Sequence, residues 1–85
     1  MTSEQMMQQA AAIIAERGAA YGNAAASMST VAARWSITLG QPVTPEQVVL
    51  CLIDLKLTRL CHDSRHYDLA VDLAGYAGLL QGITQ

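Results

Sequence analysis

One stretch of the sequence, from residue 48 to residue 60, limits the possible folds more than any other. Arranged as a helix, it presents apolar side chains on nearly every face, and a helix that is apolar all round is normally buried. We therefore expect it to be the central helix of a bundle. Its apolar residues are Val48, Val49, Leu50, Leu52, Ile53, Leu55, Leu57 and Leu60.

The remainder of the chain also carries helical patterns. No segment shows the alternation of polar and apolar residues that is typical of a half-buried strand. A first helix begins at Thr2 or Ser3, where Thr2 and Gln5 match a capping box. We expect it to end at Arg17 and Gly18, because a cation and a glycine are favoured at helix C-termini.

A second helix is expected from about residue 24 to residue 39, with Gly40 ending it. The third has the clearest start in the chain, with Thr44 as the cap and Pro45 at the first helical position. It runs to about His62. A short turn follows, in which Asp63 or Ser64 can cap a fourth helix over about residues 67–80.

These patterns predict an all-α fold, a small bundle of about four helices that forms a single domain over residues 1–85. The chain is 52% hydrophobic, which is more apolar surface than a domain of this size usually buries alone. Surplus apolar surface normally faces another subunit, so we expect a homodimer or a higher oligomer. Cys51 and Cys61 are too far apart on one helix for a disulfide, and we expect both in the core.

Charge and hydropathy exclude several classes of partner. The formal net charge is −2, which argues against duplex DNA as a partner, because DNA binding requires a basic face. No apolar stretch reaches the roughly 18 residues of a membrane span, so we expect no membrane partner. The N-terminal segment is polar and lacks the positively charged start of a signal peptide. We therefore expect a cytoplasmic protein.

Charge is concentrated between residues 54 and 76, which hold nine of the fourteen Asp, Glu, Lys, Arg and His side chains. Lys56 and Arg59 project from the apolar third helix, and Asp68 and Asp72 share a face of the fourth. Buried cations need partners, because an unpaired buried charge is very costly. Two interpretations follow. One is an internal ion-pair network; the other is a ligand site in which the cations bind phosphate oxygens and the two aspartates hold Mg²⁺.

Three more side chains complete the candidate ligand site. Tyr21 can stack on a nucleobase, or alternatively it closes the bundle. Arg17 and Tyr76 are the other candidate ligand contacts. No catalytic residue is predicted, because the sequence contains neither the order of a hydrolase triad nor the GK[ST] element of a P-loop.

Four motifs carry a resemblance to known proteins: RGAAYG, ARWSITLG, TPEQVVLCLIDLKLTRL and HYDLAVDLAGYAG. In this order they resemble a family of short phage and prophage proteins of unassigned function, over about residues 17–78. More distantly, the arrangement is similar to the all-α nucleoside triphosphate pyrophosphohydrolases of the MazG and dUTPase type. That resemblance implies an oligomeric bundle with a Mg²⁺ site, in which Asp68 and Asp72 are an acidic pair and Lys56 and Arg59 contact phosphate.

The second helix departs from the pattern of those enzymes. They carry a glutamate-rich motif before the second acidic pair, whereas this helix contains no Asp or Glu. Hydrolysis with two metal ions therefore lacks its ligands. We expect instead a protein that binds a nucleotide or other phosphorylated ligand without turnover and so sequesters a host signal. The alternatives are a divergent MazG-like pyrophosphohydrolase and an interaction module that acts on a host protein.

Overall fold

The computed structural model describes residues 2–21 and 23–84, with the side chains of all of these except residues 18–21. Within these ranges the chain contains no strand and folds into four helices, which confirms the predicted all-α class. None of the four combines the length and the apolar content that a bilayer crossing requires. The helices are α1 (Ser3–Tyr21), α2 (Ala24–Leu39), α3 (Pro45–His62) and α4 (Tyr67–Ile83).

The helix starts and stops follow the local chemistry of the sequence. At the start of α3, the Thr44 hydroxyl accepts the Gln47 N–H at 3.2 Å and the Gln47 side chain accepts the Thr44 N–H at 2.9 Å. Thr2 and Gln5 make the same reciprocal pair at the start of α1. Gly40 ends α2 with φ 71°, the left-handed conformation that glycine adopts without strain. All three predicted signals are confirmed.

Two predicted helix boundaries are wrong. The first helix does not stop at Gly18 but continues to Tyr21, and α4 continues to Ile83. A glycine inside a helix costs only about 1 kcal/mol, which the alanines after Gly18 make tolerable. The cap of α4 is His66, whose Nδ1 accepts the Leu69 N–H at 3.4 Å, and Asp63 instead follows the end of α3.

The central helix of the bundle is α4, not α3. It packs against each of the other three helices, whereas α3 packs chiefly against α4 and α2. Val48 and Val49 are fully buried, but Leu50, Leu55 and Leu57 are between 42% and 48% exposed. The prediction of an α3 buried on all sides is therefore wrong. An apolar pattern shows that burial of a helix face is favourable, but it does not show that another helix of the same chain packs against that face.

The two cysteines also differ from expectation. Cys51 and Cys61 are free thiols, and both are exposed rather than buried in the core. The reason is the same as for the leucines: α3 lies at the edge of the bundle, so its outer side is left uncovered.

An apolar core and side-chain hydrogen bonds help to hold the described elements together. The Ser36 hydroxyl accepts the Val43 N–H at 2.8 Å and donates to the Ala32 carbonyl, which fixes the loop after α2. The Tyr67 hydroxyl donates to Gln9 Oε1 and joins the start of α4 to α1. The buried apolar residues are Ala10, Ala32, Val48, Val49, Leu69 and Val71.

Candidate functional site

An ion-pair cluster joins three helices around Asp72. Lys56 on α3 places its Nζ 3.0 Å from Asp72 Oδ2, and Arg17 on α1 places a terminal guanidinium nitrogen 3.8 Å from Asp72 Oδ1. The exposed fractions of the side chains are 14% for Lys56, 22% for Asp72 and 61% for Arg17. Lys56 and Asp72 therefore form a short, largely desolvated pair, while Arg17 is a looser, solvated third member.

The local sequence explains why these side chains meet. The turn between α3 and α4 is short, and Asp63 fixes it by accepting the Arg65 N–H at 3.2 Å. The two helices consequently pack against each other along their length. An amine in the middle of an apolar helix needs an opposite charge on the neighbouring helix, and Asp72 supplies that charge.

Next to this cluster lies a groove of about 580 Å³. Its described lining comes from α1, α4, the first turns of α2 and Asn23, and it is mainly apolar. Ile13 and Ile14 form part of one wall, and Met28 forms part of the other. Pockets of about 300–1,000 Å³ that are mostly apolar, with a few polar groups, are typical of small-molecule sites. The polar and aromatic lining residues are Arg17, Asn23, Ser27, Asp72 and Tyr76.

Part of the groove is formed by glycine backbone. Gly75, Gly78 and Gly82 lie at intervals of three and four along α4, so they share one face of the helix. A methyl group added at Gly75 or Gly78 would only touch Ile14, at 3.9 Å and 4.0 Å, and one added at Gly82 would meet nothing within 4 Å. The three glycines span about two helical turns, and this side of α4 is open at Gly82, while Ile14 lies at van der Waals distance in front of Gly75 and Gly78.

The structure brings together some of the predicted site residues. Arg17, Asp72 and Tyr76 line the groove, and Lys56 reaches Asp72 from α3. Tyr21 lies outside the residues whose side chains are described. Arg17, Lys56, Asp72 and Tyr76 therefore lie together, and their role as ligand contacts stays a prediction.

Arg59 and Asp68 are placed elsewhere. Both are exposed, and within the described part of the chain neither takes part in an ion pair. Arg59 follows Lys56 by three residues and so lies closer to the turn between α3 and α4, in an exposed position. The structure therefore does not bring Arg59 to the cluster as a second phosphate-binding cation.

Sequence reasoning did not identify Asn23 or the glycine face. Asn23 caps α2: its Oδ1 accepts the Ala25 N–H at 2.8 Å. An asparagine before an alanine-rich helix is a recognisable capping signal. The spacing of the three glycines was also visible, but it does not show which helices leave the space in front of them open.

The predicted Mg²⁺ site finds little support in the geometry. The side chains described in residues 2–17 and 23–84 contain no group of three or more His, Cys, Asp or Glu residues that could hold a metal ion. Both carboxylate oxygens of Asp72 already face cations, so a metal ion would have to displace them. Mg²⁺ often binds through one carboxylate together with substrate phosphates, and only that mode remains a prediction here.

Comparisons with known proteins find a relative from a phage. The chain is 37% identical over 67 residues to the Gene 55 protein of Mycobacterium phage L5, an alignment that covers 78% of this chain and 43% of that protein. The chain therefore spans less than half the length of this relative. No solved structure matches.

The predicted resemblance to phage proteins is confirmed by this relative, whereas a MazG-like relationship is not shown. The match to a family extends over nearly the whole chain, from residue 5 to residue 84. The protein belongs to the family described as "Domain of unknown function (DUF6378)".

Proposed function

We propose that the protein binds a nucleotide or a related phosphorylated small molecule in the groove between α1, α2 and α4, and that it does so without chemical turnover. The observation that carries this proposal is the combination of an apolar groove of about 580 Å³ with an arginine and an ion-pair cluster at its edge. In the cytoplasm of a host cell, such binding would remove a free ligand from solution.

The charges of the cluster favour an anionic ligand. Two cations, Arg17 and Lys56, share one carboxylate, Asp72, so the formal charges sum to +1. Lys56 is held at 3.0 Å and neutralises Asp72. Arg17, at 3.8 Å and 61% exposed, keeps most of its donors free, and a guanidinium can bind phosphate oxygens in a bidentate manner.

The remainder of the groove suits a flat, partly apolar body. The Tyr76 ring lines the groove near Asp72 and offers a surface for stacking. Gly82 has open space in front of it, so a ligand can approach the backbone of α4 there, and Ile14, which lies in front of Gly75 and Gly78, offers an apolar contact. The Asn23 side chain lies at the same groove, and its amide can donate a hydrogen bond to a polar edge of the ligand.

Isothermal titration calorimetry with a panel of nucleotides, with and without Mg²⁺, tests the proposal. We expect one ligand class to bind, and Arg17→Gln to weaken binding by at least about tenfold, the loss of one charge-assisted hydrogen bond. Arg34→Gln is the matched control: it removes the same charge from an exposed position on α2 that does not line the groove.

The retained and filtered fractions should then be analysed by HPLC. Recovery of the intact nucleotide from the denatured protein supports binding without turnover. Release of a nucleoside monophosphate would instead support the divergent pyrophosphohydrolase, and binding that Arg17→Gln leaves unchanged would refute the groove as the site.

We also propose that the chain functions as a homodimer or a higher oligomer. Two observations support self-association. The chain is 52% hydrophobic, and large apolar side chains on α1, α2 and α3 are exposed. Sedimentation at several protein concentrations tests this separately from ligand binding.

A further inference from the structure

The solvent-accessible surface of the chain is too large for a compact monomer. It measures 5984 Å², whereas a folded monomer of 9.1 kDa exposes about 4,900 Å² by the usual scaling with mass. The radius of gyration is 13.7 Å, compared with about 12 Å for a compact domain of this length. The excess of about 1,100 Å² exceeds the roughly 800 Å² that each partner contributes to a standard interface.

The outer side of α3 is the surface best suited to supply this interface. Two adjacent stripes run along it with spacings of four, three and four residues, the spacing by which helices pack against each other. Three leucines that are 42% to 48% exposed and two exposed thiols lie on it. One carboxylate, Asp54, lies in its centre. The two stripes are Leu50, Asp54, Leu57 and Cys61, and Cys51, Leu55, Thr58 and His62.

The charge distribution of α3 favours an antiparallel partner. Its first turn contains Glu46, and its last turn contains Arg59 and His62. A parallel pair would place like charges and like ends of the helix dipoles together, whereas an antiparallel pair places each acidic end beside a basic end. Asp54 then lies within about one helical turn of the partner's Arg59.

We propose that a second copy of this chain binds to the outer side of α3, so that the two α3 helices pack antiparallel across a two-fold axis. This inference rests on the proposed self-association and adds its surface and direction. A two-fold axis level with the middle of the two stripes, near residue 56, brings Cys51 to the same height as Cys61 of the partner subunit, with Leu50 alongside. Leu55 and Leu57 close the two edges of the contact.

Thiol crosslinking with a short bis-maleimide tests the direction. The antiparallel dimer joins Cys51 to the partner's Cys61, so wild-type protein gives a covalent dimer, and Cys51→Ala and Cys61→Ala each reduce its yield at least about tenfold. Both thiols are exposed, so neither substitution disturbs the core. A parallel dimer would keep a crosslink between like cysteines in each single variant, and that result would overturn the proposal.

Sedimentation of charged variants tests the surface. Leu50→Lys is expected to raise the dimer dissociation constant at least about tenfold, because it places a cation in a desolvated contact. Ile37→Lys is the matched control: it makes the same kind of change at an apolar side chain that is 83% exposed, on α2. Circular dichroism verifies that both variants retain their helices.

The outcomes separate the two proposals. A wild-type dimer that Leu50→Lys leaves intact would refute this surface while self-association stands. A wild-type protein that is monomeric at all concentrations would refute both self-association and this surface. It would favour a host protein as the partner of the outer side of α3. Loss of the dimer in Leu50→Lys, with Ile37→Lys unchanged and the mixed crosslink present, supports the proposal. Ligand binding in the groove is independent of all three results.

Discussion

The pair between Lys56 and Asp72 allows a direct test of how the charged segment contributes to stability. Replacing Asp72 by asparagine keeps the shape of the side chain and removes its charge. Lys56, whose side chain is only 14% exposed, would then keep a cation in a mostly desolvated place without its partner at 3.0 Å. Arg17 would remain hydrated, because most of its side chain is already in solvent.

The size of the loss follows from the degree of burial. Breaking a fully buried ion pair costs about 3–5 kcal/mol, and an exposed pair contributes about 0–1 kcal/mol. With exposed fractions of 14% and 22% for the two side chains, we expect Asp72→Asn to lower the free energy of unfolding by about 2–3 kcal/mol. For a domain of this length, that corresponds to a fall in Tm of roughly 10–20 °C.

Urea unfolding followed by far-ultraviolet circular dichroism measures this loss, at one fixed protein concentration because association also affects stability. Asp68→Asn is the control, since Asp68 is exposed and should change stability by less than about 0.5 kcal/mol. The double variant Lys56→Met with Asp72→Leu should recover at least half of the loss, because it removes both charges together.

Two results would refute the reasoning. If Asp72→Asn cost less than about 0.5 kcal/mol, the pair would behave as a solvated one. Its partial burial would then not increase its contribution to the free energy of unfolding. If Asp68→Asn cost as much as Asp72→Asn, both aspartates would neutralise buried cations and the cluster would be purely structural.

Three further substitutions test the local structure. Gly40→Ala should lower the free energy of unfolding by about 1 kcal/mol in thermal melts, since φ at this position is 71°; a neutral result would contradict the left-handed cap. Asn23→Ala should cost about 1 kcal/mol while Asn23→Ser retains most of the stability, because the oxygen that caps α2 is lost only in the first. Gly82→Ala should stabilise the protein by about 0.5–1 kcal/mol, because its methyl group meets nothing within 4 Å; destabilisation would mean that this part of the groove is closed in solution.

Local signals in the sequence were sufficient for the helices but not for their arrangement. Some signals act within one helical turn and so could be read from the sequence. Thr44 with Pro45 predicted the start of α3, and Gly40 predicted the end of α2. Gly18 failed as a stop signal because a single glycine costs less than the helix around it gains. The centre of the bundle was assigned to α3 because periodicity does not show which helix the chain can surround.

The candidate site shows the same division. The partnership of Lys56 with Asp72 was among the predicted pairings, because the cost of a buried amine restricts its partners to carboxylates on the next helix. The groove was not predicted, since it depends on how far α1 and α2 separate in front of the glycine face of α4. Arg59 and Asp68 were included because their spacing along each helix suits the cluster, but both lie closer to the turn between α3 and α4, where their side chains are exposed.

The central position of α4 has a consequence for synthesis of the protein. The helix against which the other three pack is the last of the four to leave the ribosome, and α1, the first to emerge, has its main partner there. Contacts between residues far apart in the sequence are slow to form, so the sides of α1, α2 and α3 that pack against α4 stay uncovered until α4 emerges. Co-translational chaperones should therefore engage this chain before α4 emerges, and a ribosome stalled upstream of α4 should leave α1 open to proteases.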